Sequence, residues 1–310
     1  MTPARRKILS RIKRGTAKKN HFGIKKLLAV VVTVSAIFVF IKTQTRFWNG
    51  RDKLSVAISA QDRLVVSTFD PETSEITNVY IPGDTQVDSA RQLGTFRVKN
   101  IRKLGDNEKI GGVLLSETIT KNFKFPVTAW ASESALAFST SEPGQIFKAI
   151  VSPFETNLGM GDKLALALFS LRVKNTNRVE IDLTNTAFIK KTKLIDGEEG
   201  YIISGQIPQG LAAVFADSHI SEEALRVVIK NETGESSDPT AVAQILEVLG
   251  AKVASLVKGE MEDYDCQVLG ESREITKKVA QILSCEIISG LPEGNFNLEV
   301  RLGKGFAERF

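Results

Sequence analysis

Asp62–Val87, DRLVVSTFDPETSEITNVYIPGDTQV, is the stretch whose reading decides the fold. Apolar residues alternate from Arg63 to Phe69 and again from Glu75 to Ile81, the period of two expected of strands. Between them, Asp70-Pro71-Glu72-Thr73-Ser74 supplies turn chemistry, because proline presets φ and an aspartate side chain bonds the backbone ahead of it. Pro82-Gly83-Asp84 stops the second strand in the same way. Two strands joined by one short turn predict an antiparallel hairpin, and Leu54 to Ile58 upstream predicts a further strand.

Downstream, the pattern mixes helices with strands. Gly111-Gly112 precedes a helical run through Val113, Leu114, Leu115 and Ile119 that ends before Pro126, after which Val127 to Trp130 reads as extended. Asp162 is placed to cap a helix whose expected inward face is Leu164, Leu168 and Leu171, and Val179 to Leu183 returns to strand. From Leu225 the periodicity sharpens. A strand to Ile229 and a turn at Asn231–Gly234 lead to Asp238 as N-cap, with Pro239 at the first helical position. The helix presents Val242, Ile245, Leu246 and Leu249 inward and stops at Gly250, and a strand follows over Lys252 to Val257. Strand Cys266 to Leu269, a helix with Ile275, Val279, Ile282 and Leu283 inward, and a last strand Asn295 to Leu302 complete a βαβ-βαβ pattern. The fold class expected is α/β: a mixed-sheet domain over 54–222 and a small βαβ-βαβ domain over 223–310.

Charge is unevenly placed. Residues 1–26 hold ten Lys/Arg and no acid; removing these from 41 bases leaves 31 against 36 acids, so the remainder carries a formal charge of −5. A body of that sign lacks the basic stripe that nucleic-acid binding needs, so no nucleic-acid partner is expected. Leu27 to Ile41 is an uncharged apolar run. At ~1.5 Å per residue it covers about 22 Å of a bilayer core, and flanking Lys25, Lys26 and Lys42 complete it by snorkelling. No small-residue cleavage site follows. The expectation is therefore a basic cytoplasmic tail (1–26), a single-pass signal anchor in the lipid bilayer (27–45) with Phe47 and Trp48 as interfacial anchors, and a short stalk (46–53). The ten bases keep the N-terminus inside and place the body outside the cell membrane.

Export changes the reading of Cys266 and Cys285. A strand from Cys266 and a helix returning from about Ser272 to Ser284 bring Cys285 back near the strand's start, which leaves a bridge and two separately buried thiols as equal alternatives. Two cysteines and the one histidine of the body, His219, do not supply a four-ligand metal site. His219 stands beside Asp217 and Ser218 by adjacency in sequence, which is no catalytic triad, and there is no Walker loop, G-x-S-x-G or H-E-x-x-H.

Asp62–Val87 resembles the LytR-CpsA-Psr family, in which an aspartate opens a strand, an N-P-x-T-type turn follows, and the next strand ends close to S-I-P-R-D-T. The likeness continues through Gly111-Gly112 to Thr128-Ala129-Trp130 and near Thr156-Asn157-Leu158. Residues 225–310 resemble the LytR C-terminal domain, V-V-I-K-N-E-T-G matching its opening and Val300-Arg301-Leu302-Gly303 its close. The resemblance implies a membrane-anchored transferase that moves glycopolymer from a polyprenyl diphosphate carrier to peptidoglycan, with arginines holding the diphosphate and Asp62 and Asp84 holding Mg2+. Clustered guanidinium groups and a divalent cation would neutralise the leaving group. Here Gly83 replaces the motif arginine, Ala60 and Gln61 replace basic residues, and Ala137 to Glu155 contains no R-x-R. The expectation is therefore a non-catalytic envelope protein, with no catalytic residue and no cofactor, that binds a cell-wall glycan or an envelope protein. The alternatives are a divergent Mg2+-dependent transferase using Arg63, Arg91, Arg97 or Lys99, and an envelope or division scaffold.

Overall fold

The computed structural model describes residues 47–234 and 239–310. The basic tail, the apolar span and the Asp238 cap lie outside the described residues. Thr45–Phe310 is one compact unit.

Its first sheet runs in the order β6-β1-β2-β3-β7, from β1 (Leu54–Ser59), β2 (Arg63–Asp70), β3 (Glu75–Pro82), β6 (Ala129–Ser132) and β7 (Arg178–Asp182). The hairpin is present, with Arg63 opposite Pro82 and Asp70 opposite Glu75. The edge strands β6 and β7 join in parallel, so the sheet is mixed. Because successive side chains point to opposite faces, the central strands feed two cores at once. Ala57, Leu64, Val66, Val79 and Ile81 enter one, and Val56, Ile58, Val65, Phe69 and Ile76 the other. The first core is covered by α1 (Val98–Asn107) and α2 (Val113–Phe123), with Leu114, Leu115, Ile119 and Phe123 fully inward. The second is covered by α3 (Pro143–Val151) and α4 (Met160–Arg172). Two hairpins lie beside the first core: β4 (Gln86–Asp88) with β5 (Thr95–Arg97), and β8 (Ile189–Lys193) with β9 (Glu199–Ile203).

Two expectations fail in this lobe. Of the expected stalk, the described residues 47–53 do not hang free. The Asp162 carboxylate near the start of α4 accepts the backbone N–H groups of Phe47 and Trp48 at 3.2 and 3.0 Å, and Trp48, 3% exposed, packs edge-on against Phe169 at 5.5 Å. Trp48 is thus a core residue and not a free interfacial anchor. The helix over 160–172 is also turned from the expected face: Gly161, Asp162, Leu166, Ala167 and Ser170 are buried while Leu168 and Leu171 are exposed. The buried carboxylate of Asp162 sets that rotation, since satisfying three backbone donors, Gly159 included, requires it to face inward.

Two short helices, α5 (Gln209–Phe215) and α6 (Ser218–Glu222), lead to the second sheet, ordered β11-β10-β14-β12-β13. Its strands are β10 (Arg226–Asn231), β11 (Lys252–Lys258), β12 (Cys266–Gly270), β13 (Glu286–Ile287) and β14 (Leu298–Leu302). Helix α7 (Thr240–Val248) makes the first βαβ unit, with β11 parallel to β10. The second unit departs from the sequence pattern. The strand after α8 (Arg273–Leu283) is the two-residue β13, while the last strand starts at Leu298 rather than Asn295 and inserts between β10 and β12, parallel to one and antiparallel to the other. All eight expected inward residues of α7 and α8 are buried. Cys266 and Cys285 are joined by a disulfide, their α-carbons 4.9 Å apart.

The lobes are stitched together. Ile220 enters the C-terminal core and Val248 the upstream one. Asp217 binds Lys278, and α9 (Lys304–Arg309) contributes Arg309 to Glu117 at 3.4 Å and the Ala307 carbonyl to Gln92 at 3.0 Å.

Candidate functional site

The sequence singled out the sheet end where β2 begins and β3 stops. Asp62 and Asp84 are brought to this end together, because the Gly83 N–H donates to the Asp62 carbonyl at 3.1 Å. Lys99, from the first turn of α1, is tied in through its own N–H to the Gly83 carbonyl at 3.0 Å. The carboxylates differ. Asp62 is exposed, whereas one oxygen of Asp84 accepts both Arg97 and Lys99 at 2.7 Å. Hydrogen bonds from Lys99 and then Arg97 hold the Asp84 carboxyl below the usual carboxylate range. Arg97 also pairs with Asp196 at 2.8 Å and Glu198 at 3.1 Å on the β8–β9 hairpin. Two cations therefore meet three carboxylates, and the cluster is net negative.

The other arginines go elsewhere. Arg63 lies over the Tyr80 ring at 4.5 Å, and Tyr80 packs on the core under α3 and α4. Arg91 is bound to the buried Glu117 at 2.9 Å, and Arg309 shares that carboxylate. Glu117 was legible as an anomaly, a carboxylate three residues after Leu114 on an apolar helical stripe. Its partner Arg309, 192 residues away, carried no local signal.

A second feature lay outside the sequence reading. Two adjoining grooves of about 510 and 500 Å³ run between the lobes and share Asn122, Lys124 and Ile203. The first is lined by Phe188, Ile203 and Ile207 against Gln244 and Val248 of α7; the second sets Lys121 against Ala241, Phe306 and Phe310. Burial depresses the Lys121 ammonium below the usual lysine range. The Lys124 ammonium donates to the Lys121 carbonyl. Apolar walls with a few polar groups along an open groove suit an elongated, amphipathic ligand. Neither Asp62 nor Asp84 lines it.

No protein-family model and no curated protein matches the sequence. Solved structures do match. B. subtilis TagT is 16% identical with a TM-score of 0.37, covering 52% of this chain and 88% of its own. B. subtilis TagV is 12% identical with a TM-score of 0.40, covering 66% and 99%. The LytR-CPS2A-psr family protein YwtF (TagT) with bound octaprenyl pyrophosphate lipid is 18% identical with a TM-score of 0.38, covering 55% and 90%. Over about half its length the chain is structurally similar to LytR-CpsA-Psr family proteins. The C-terminal domain is not matched.

The magnesium ion implied by the LytR-CpsA-Psr resemblance does not fit the residues present. An Asp84 oxygen shared by two cations is a poor donor to a third. Among the described residues no group of three or more His, Cys, Asp or Glu side chains is placed to hold a metal ion.

Proposed function

We propose that this chain is a single-pass envelope protein, anchored through residues 27–45 with its body outside the cell, that binds a cell-wall glycan in the interlobe groove and transfers nothing. The observation that carries the reading is the pairing at Asp84. A departing diphosphate is stabilised by preorganised positive charge, and loss of one such donor costs a factor of about 100–1000 in rate. Arg97 and Lys99 are spent on Asp84, Asp196 and Glu198, and Gly83 offers no side chain in place of the motif arginine. The groove supplies what remains: polar ends for hydroxyl and amide groups over an apolar floor.

The test uses the full-length protein in detergent with purified peptidoglycan sacculi. Binding is expected, weakened about tenfold when Gln244→Trp fills the groove. In parallel, transfer from a polyprenyl-diphosphate glycan is assayed with magnesium. Robust turnover abolished by Asp62→Ala or Asp84→Ala sinks this reading in favour of a divergent transferase.

A further inference from the structure

The stripe that periodicity assigned to the core of the helix 160–172 is exposed, and its place in the chain says what covers it. On α4, Met160, Leu164, Leu168 and Leu171 recur at helical spacing on the side away from the sheet; Leu168 is 57% and Leu171 52% exposed. On α3, Phe147 is 64% and Val151 59% exposed, four residues and one turn apart. The two helices bury their opposite sides, Ile146 and Ala149 from α3 and Leu166 and Ala167 from α4, in the same core, so their outer sides face away from the sheet together. An apolar surface of that kind on a soluble domain marks a place of contact.

The occupant follows from where the described chain starts. Phe47 and Trp48 are bonded to Asp162, in the first turn of α4. Thr45, the end of the expected span, lies two residues before Phe47, and two residues reach at most about 7 Å. Covalent connection alone keeps the start of α4 beside the point where the chain leaves the bilayer. The charges agree. Between Glu142 and Lys174 the bases are Lys148, Lys163, Arg172 and Lys174, whereas the acids are Glu142 at the N-cap of α3, Asp162, buried on backbone donors, and Glu155, paired with Arg102 at 2.7 Å. Exposed apolar residues in a segment with an excess of basic ones are the composition of a surface that lies in a lipid interface.

We propose that α3 and α4 form a membrane-docking face, with Phe147, Val151, Leu168 and Leu171 seated in the outer leaflet of anionic phospholipid. The proposal rests on the anchored reading above. Docking fixes the body's orientation on the bilayer, so that the anchor does not act as a loose tether.

Two arms test it. The sequence holds two cysteines, both in the disulfide, so a single introduced cysteine takes a spin label cleanly. Full-length protein labelled at Leu168→Cys is placed in phosphatidylcholine–phosphatidylglycerol nanodiscs, with Ala36→Cys reporting the span and Ile195→Cys, 86% exposed, reporting water. Accessibility to oxygen should exceed that to a polar nickel reagent at residue 168, as at residue 36 and opposite to residue 195. A water-like label at 168 with a lipid-like label at 36 overturns docking and leaves the anchor standing, and a water-like label at 36 overturns the anchor. A label at 168 shielded from both reagents and dipolar-broadened overturns docking in favour of a second copy of the chain. In the second arm the compact unit Thr45–Phe310 is sedimented with vesicles of the same lipids; Leu168→Ser with Leu171→Ser should weaken binding at least about tenfold. Unchanged sedimentation, or none by the parent fragment, refutes the proposal.

Discussion

Gly83→Ala tests the geometry of the sheet end most directly. A Cβ at Gly83 would stand 2.8 Å from the Asp62 carbonyl carbon and 3.0 Å from Lys99 Cβ. Backbone cannot yield there as a long side chain can, so the β2 and β3 ends must separate. That motion disrupts the hydrogen bonds from Gly83 N–H to the Asp62 carbonyl and from Lys99 N–H to the Gly83 carbonyl. At about 0.5–1.5 kcal/mol each, the expected cost is about 1–3 kcal/mol. The control is Gly144→Ala on α3, where nothing lies within 4 Å of the new methyl group; it should be neutral or stabilise by up to about 1 kcal/mol, because alanine has the higher helix propensity. Urea unfolding of Thr45–Phe310 reads both. If Gly83→Ala costs less than about 0.5 kcal/mol, the close approach is not real, and an arginine in the manner of the LytR-CpsA-Psr motif could be accommodated at this position.

Reduction of the disulfide, or Cys285→Ser, should lower stability by about 3 kcal/mol, since the bridge closes a loop of 19 residues in the unfolded chain; calorimetry with and without reductant measures it. Asp217→Ala should cost about 3 kcal/mol or more by urea unfolding, because it strands the largely buried Lys278 ammonium and removes an acceptor from the Lys53 and Ile220 N–H groups. Acid should destabilise with a definite sign. Asp84 is held below 3.8 by Lys99 and Arg97, and Asp70, which burial pushes up, is pulled net below by Lys53. Their contribution is complete above the unfolded-state value of 3.8 and is lost as pH falls below it. The urea midpoint should therefore hold from neutral pH to about 5 and drop towards about pH 3, less steeply in Asp84→Asn.

What could be read from the residues in order was what depends on near neighbours. The hairpin of β2 and β3 was legible because alternation and turn chemistry both act within a few residues. So were α7 and α8, whose inward residues lie on stripes with no competing polar demand. The approach of Cys266 to Cys285 belongs to the same class, since one strand and one helix span the separation. Tertiary structure decided the rest. Helix α4 carries apolar residues on more than one side, and periodicity alone chose the stripe of Leu168; the side that is buried is set by Asp162 accepting the N–H groups of residues 47 and 48, 115 and 114 positions away. Arg97 and Lys99 looked unassigned in a segment without a clear pattern, and Asp196 and Glu198 reach Arg97 across about a hundred residues. Local periodicity reports on burial one turn or one strand at a time. Which carboxylate neutralises which cation, and which apolar stripe is left for something outside the chain to cover, is settled by packing between segments whose separation in sequence holds no trace of it.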